Sequence, residues 1–161
     1  MDQPKKGIIR HEALQPLSRH HHHALFVALQ AKRVGTEKSK LTVEEMKQEV
    51  ETFWVEGGNQ HFQDEEEIVL PVYAQYQSIH QPEIIEMLLE HVKLRSYVQQ
   101  ILSTEAEADL IPIMNEFGEL LTTHVRREER VVFPMIEKDL PEEELQKLAP
   151  YLHTSEEESE P

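Results

Sequence analysis

Apolar positions in this chain recur at steps of three and four residues, and strand-like alternation is absent. That period is the signature of amphipathic helices. A first stripe, Leu14, Leu17, Ala24, Leu25, Ala28 and Leu29, predicts a helix from Pro16 to about Arg33, where VGTEKSK breaks it. Proline suits a first helical turn, because its missing N–H would have no partner there. Thr42 with Glu45 three places on has the form of a capping box. It opens a second helix that should reach about Tyr73, with Gly57-Gly58 as an internal weak point costing about 1 kcal/mol per glycine. Pro82 opens a third helix ending near Leu102. A fourth begins within TEAEADLIP, runs through His124 and ends near Glu137. Pro141 starts a short last helix ending near Leu152. The segment HTSEEESEP, residues 153–161, is expected to be a disordered acidic tail.

Four long amphipathic helices with short connections predict an all-α fold, an up-down-up-down four-helix bundle over residues 1–152. Pro71 and Pro134 are expected to end or kink helices 2 and 4 at matching depth. A chain of 161 residues fits one domain. Its 31 acidic residues against 16 Lys plus Arg give a formal charge of −15. That balance argues against nucleic acid or an anionic membrane as partner, since both call for a basic surface. The absence of cysteine excludes disulfides, thiolate metal sites and cysteine nucleophiles. No apolar run matches a signal peptide or a membrane span, so a cytoplasmic protein is expected.

The chemistry is carried by histidine and glutamate. HFQDEEEIVLPVY begins at His61 and HVRREERVVFPMI at His124. Each has His first, Glu four and five places later, an apolar trio, and Pro ten places after the His. Residues four apart share a helix face. His61 with Glu65, and His124 with Glu128, should therefore point inward together from helices 2 and 4. Facing pairs of this kind suit two cations with the carboxylates between them. A mix of imidazole and carboxylate suits iron, zinc or manganese better than calcium or magnesium. Glu66 and Glu129, at offset five, fall off the inward direction and are read as solvated or as supporting carboxylates. In SRHHHHALFVAL, His21 and His22 flank the centre of the apolar stripe, while His20 and His23 are expected to face solvent. In MLLEHVKLRSYV, His91 shares its face with Leu94, Val98 and Ile101 and should point inward.

These segments together resemble the hemerythrin-like, His-His-Glu cation-binding family along nearly the whole chain. HHALF from His22 is similar to the first-helix ligand motif, and HFQDE at 61–65 to the second-helix His-Phe-x-x-Glu pattern. EHVKLR around His91 resembles the third-helix segment, and HVRREERVVFP the fourth. The resemblance implies a non-haem di-iron centre that binds small oxidants such as dioxygen, nitric oxide or peroxide, or that handles iron. The implied ligands are His22, His61, Glu65, His91, His124 and Glu128, with His21 and Glu129 as alternates. Two iron ions are the implied cofactor, ahead of zinc or manganese. Met87 stands where the oxygen carriers have a second third-helix histidine, which leaves a position either open or filled by His21. A di-iron enzyme and a zinc-loaded or metal-free regulatory scaffold are the competing readings. Readout of a sensing event would need a homo-oligomer or a protein partner.

Overall fold

The computed structural model describes residues 9–152, so the expected acidic tail lies outside the described residues. Among them there are helices and connecting turns and no strand. Helix α1 spans Gln15–Arg33 and follows a short 3-10 turn, Glu12–Leu14. Helix α2 is one continuous rod over 43–73. It is α-helical over Val43–Phe53, Asn59–Asp64 and Leu70–Tyr73, with π-helical turns at Trp54–Gly58 and Glu65–Val69. Helix α3 spans Pro82–Ser103. Helix α4 runs over 107–139, with a π-helical turn, Glu128–Val132, between Glu107–Arg127 and Phe133–Asp139. Helix α5, Glu142–Leu148, closes one end.

Local chemistry accounts for the boundaries. The Thr42 hydroxyl accepts from the Glu45 N–H at 3.0 Å while the Glu45 carboxylate accepts from the Thr42 N–H at 2.9 Å. Both donors would otherwise be orphans of the helix start. After α1 the chain turns at Gly35, whose φ of 85° is a conformation that side chains with a Cβ disfavour. Gly57 and Gly58 do not break α2; the helix passes through them as a π-helical turn. Neither Pro71 nor Pro134 ends its helix either. Each follows a π-helical turn in which the preceding residue's N–H reaches five residues back, Leu70 to Glu65 and Phe133 to Glu128. Proline lacks an N–H and its ring would press on the carbonyl four back. A wider preceding turn accommodates it, and here both wide turns begin at a glutamate of the inward-facing pairs.

Cross-helix contacts fix an antiparallel, up-down-up-down order. His20 stacks on Phe53 and His23 lies against Glu49 between α1 and α2. Arg95 meets Asn59 and His91 meets Glu66 between α2 and α3. Glu90 meets His124 and Tyr97 meets Glu116 between α3 and α4. Ser18 meets Glu129 and Asn115 meets Ala31 between α4 and α1. The α4–α1 approach is especially close: a Cβ on Gly118 would lie 2.6 Å from the Ala28 carbonyl oxygen.

The apolar interior is two layers. One holds Val27, Met46, Val50, Leu94, Met114 and Phe117. The other holds Leu14, Leu17, Ile84, Met87, Phe133 and Ile136, and Leu145 and Leu148 of α5 complete it. Full burial of a side chain of this size stabilises by about 1.5–3 kcal/mol. Between the layers lies a buried belt of histidine and glutamate. No helix among the described residues is long and apolar enough to cross a membrane.

Candidate metal centre

Four helices each deliver one imidazole to this belt, and α2 and α4 each add a carboxylate one turn after theirs. His21, His61, His91, His124, Glu65 and Glu128 are all buried, both glutamates completely. Glu128 divides its oxygens: Oε1 lies 2.9 Å from His21 Nε2, and Oε2 lies 2.9 Å from His124 Nε2. Glu65 does the same, with Oε2 2.8 Å from His61 Nε2 and Oε1 3.0 Å from His91 Nε2. The result is two groups that share both carboxylates. In one, donor atoms of His21, His61, Glu65 and Glu128 all lie within 4.8 Å of one another; in the other, so do those of Glu65, His91, His124 and Glu128.

Most of this proximity is not hydrogen bonding, the pair of His21 Nε2 with Glu128 Oε1 being the exception. Nε2 of His61, His91 and His124, both oxygens of Glu65 and Oε2 of Glu128 are buried without a hydrogen-bond partner among the described residues. Their separations are short, but their bonding directions do not meet. Buried polar atoms left in that condition are costly. Cations between them would satisfy all of these atoms at once, and the donor set suits iron, zinc or manganese.

The outward faces of three rings are held from behind. His21 Nδ1 donates to Glu129 at 2.6 Å, His91 Nδ1 to Glu66 at 2.6 Å, and His124 Nδ1 to Glu90 at 2.8 Å. Each of these carboxylates also meets an arginine: Glu129 with Arg10 at 3.0 Å, Glu66 with Arg95 at 3.1 Å and Glu90 with Arg127 at 2.9 Å. A carboxylate behind a ligating histidine fixes its tautomer and ring orientation. His61 Nδ1 has no such partner among the described residues. Aromatic rings add further restraint. Phe62 stacks on His91 with centroids 4.0 Å apart, and Phe133 lies parallel to His21 at 5.5 Å.

Burial opposes charge on these histidines, yet the carboxylates prevail. His61 is pushed up to about 10, with Glu65 the leading cause and Glu128 adding to it. His91 is pushed up to about 11 by the nearby carboxylates of Glu128, Glu65 and Glu66. His124 is pushed up to about 9 by Glu128 and Glu90. Burial likewise opposes ionisation of Glu128, but His124, His21 and His61 hold it well below the usual carboxylate range. Glu129 is brought down to about 2 against its own burial, by His21, Ser18 and Arg10. Without a cation, protons on the rings balance the carboxylates; a cation would displace them.

The sequence model of the hemerythrin HHE cation-binding domain matches residues 16–136 and, separately, 83–158. The chain belongs to the hemerythrin HHE cation-binding family. No curated protein and no solved structure gives a significant match. Family membership and the buried groups agree on cation binding as the property of this belt.

Within this hemerythrin-type bundle, the structure gathers His61, Glu65, His91, His124 and Glu128, and from the first helix it brings His21 to them. His22 is exposed and belongs to neither group; His21 takes the inward place. His20, expected in solvent, is buried beside His21 and stacked on Phe53. Burial and the neighbouring His61, His21 and His23 bring it down to about 3. Glu129 faces His21 from behind rather than joining the groups. Met87 is fully buried among Leu14, Leu17 and Ile84, filling space beneath the belt. Glu90 and the three arginines were not singled out from the sequence. The repeated Glu at offset five was the available signal for Glu66 and Glu129; no comparable repeat marks Glu90.

Proposed function

We propose that the belt holds two iron ions, one in the His21–His61 group and one in the His91–His124 group, with Glu65 and Glu128 serving both. The centre binds a small ligand, dioxygen, nitric oxide or peroxide, for sensing or iron handling. One observation carries it: each buried carboxylate turns one oxygen to each group, so the site is built for a pair of cations rather than one. Bound iron supplies electron donation to such a ligand, which none of these side chains can do. The chain's own part is to hold, orient and exclude water. Glu66, Glu90 and Glu129 fix the rings, and Phe62 and Phe133 shield them. Four imidazoles against two carboxylates favour binding over oxidase chemistry, because a neutral, nitrogen-rich donor set stabilises the reduced metal more than a carboxylate-rich one does.

An acidic, cysteine-free chain suits a cytoplasmic setting, where a second copy or a protein partner would read out the bound state. The test is metal analysis of anaerobically purified protein, with optical spectra before and after azide. Two irons per chain and a new azide-dependent band are expected. Zinc at full occupancy, or a single metal per chain, would sink the proposal.

A further inference from the structure

A small cavity sits against the belt, roomy enough for about one water-sized molecule and almost entirely apolar in its exposed lining. His21, His61 and His124 reach it from the belt, Phe53 and Gly58 from α2, and His20 from α1. His20 is out of place there. The residue is only 7% exposed, and Nε2 has no hydrogen-bond partner among the described residues. The ring is nonetheless fixed, stacked on Phe53 at 5.6 Å with 18° between planes, and its centroid lies 5.0 Å from that of His61. It joins neither cation group. Gly58 keeps the wall thin: a Cβ there would meet Phe53 at 3.0 Å and Trp54 at 3.1 Å, disturbing the ring on which His20 rests.

A buried, oriented nitrogen without a partner, at a chamber whose exposed surface is almost entirely apolar, calls for a polar guest. We propose that His20 recognises a small ligand admitted to this cavity, through a hydrogen bond donated by Nε2 to an electronegative atom of the ligand. With room for about one water-sized molecule, the cavity takes the terminal, electron-rich atom of a di- or triatomic ligand whose other end lies in the belt, as in azide, peroxide or reduced dioxygen. This rests on the reading of a ligand-binding metal centre given above. His20 discriminates among small ligands by hydrogen bonding; a purely apolar chamber would discriminate by size alone.

The test uses the iron-loaded full chain and azide as probe, titrated optically, with metal content measured alongside. His20→Phe keeps the stacking surface and removes the nitrogen. It should retain the wild-type iron content and bind azide at least about tenfold more weakly, the loss expected for one hydrogen bond to a charged acceptor. His20→Gln, which keeps a donor of similar reach, should recover most of that loss. His20→Leu takes the place of the Phe variant if that fails to fold, with the same expectation. Unchanged azide affinity in the apolar variant would overturn the proposal while leaving the metal centre intact. Loss of iron in that variant would overturn it too, because His20 would then be a metal ligand. Wild-type protein that takes up iron but binds no azide would instead bring down the parent reading, and this one with it.

Discussion

Glu66 stands behind His91 as Glu129 stands behind His21, each with a carboxylate oxygen 2.6 Å from Nδ1 and an arginine on its far side. The two glutamates occupy the same place in the repeated His-x-x-x-Glu-Glu segments of α2 and α4. Each repeat therefore supplies an inward carboxylate to the belt and, one residue later, a carboxylate that orients the imidazole of a neighbouring helix. Adjacent helical residues point about 100° apart. That angle is what lets one short segment address both a shared centre and the helix beside it.

Replacing the orienting carboxylates should weaken metal binding without abolishing it. Glu66→Gln and Glu129→Gln keep shape but lose the charge that fixes ring and tautomer, so about 10- to 100-fold lower metal affinity is expected for each. Competition with a chelator of known affinity reads this directly. Affinities equal to wild type would show that the rings are held by packing alone, by Phe62 at His91 and Phe133 at His21.

Removing inward groups should be more severe and should sort the first-helix histidines. Glu65→Ala or Glu128→Ala takes a donor from both groups and is expected to leave less than one metal per chain. His21→Ala should lose metal from one group, while His22→Ala should retain the full complement. Metal analysis after desalting decides it. A His22 variant that lost metal while the His21 variant did not would reverse the assignment of α1.

The sequence made the fold legible because its periodicity, capping residues and prolines all favoured the same helices. Belt residues on α2, α3 and α4 were legible for the same reason: their neighbours at four-residue spacing leave little choice of face. α1 was harder. Leu25 and Leu29, counted as part of its apolar stripe, are half-buried and 36% exposed, whereas Val27 and Ala31 are fully buried. Including the first pair rotates the inferred face by roughly one residue, which brings His22 in beside His21 and leaves His20 outside, and the motif resemblance then favours His22. Amphipathic counting cannot distinguish a leucine that covers a helix flank from one that fills the core. Arg10, Arg95 and Arg127 were illegible for another reason. Each meets its glutamate through the tertiary fold, and an arginine in the sequence carries no mark of that contact.

Cation loading should raise thermal stability, since the metal binds the assembled bundle and little of the unfolded chain. Chelation should therefore lower Tm, by an amount that grows with the logarithm of the metal affinity. Glu128→Ala should narrow the gap between loaded and metal-free protein, because that variant holds less metal. Differential scanning fluorimetry with and without iron is sufficient, and coincident curves would mean that the belt satisfies itself.

The last expectation concerns pH and follows from the raised histidines. His61, His91 and His124 stand at about 10, about 11 and about 9, against an ordinary value of 6.5 in the unfolded chain. Between those limits the folded, metal-free protein holds protons that the unfolded chain has released, so its stability falls as pH rises. The contribution is complete below about pH 6.5 and lost as pH passes through 9 to 11. On the acid side the groups act in the opposite sense. Glu129, at about 2, and His20, at about 3, lose their contributions as pH falls below their unfolded values. Metal-free protein should thus be most stable near neutrality and lose Tm steadily from pH 7 to pH 10. Loaded protein should not follow, because the cation has already replaced the protons, and its affinity should increase over the same range as competition from protons declines. Tm measured at intervals from pH 5 to pH 10 in both states tests this. A flat alkaline limb in the metal-free state would mean that the imidazoles are neutral in the fold and that the carboxylates are balanced by something else.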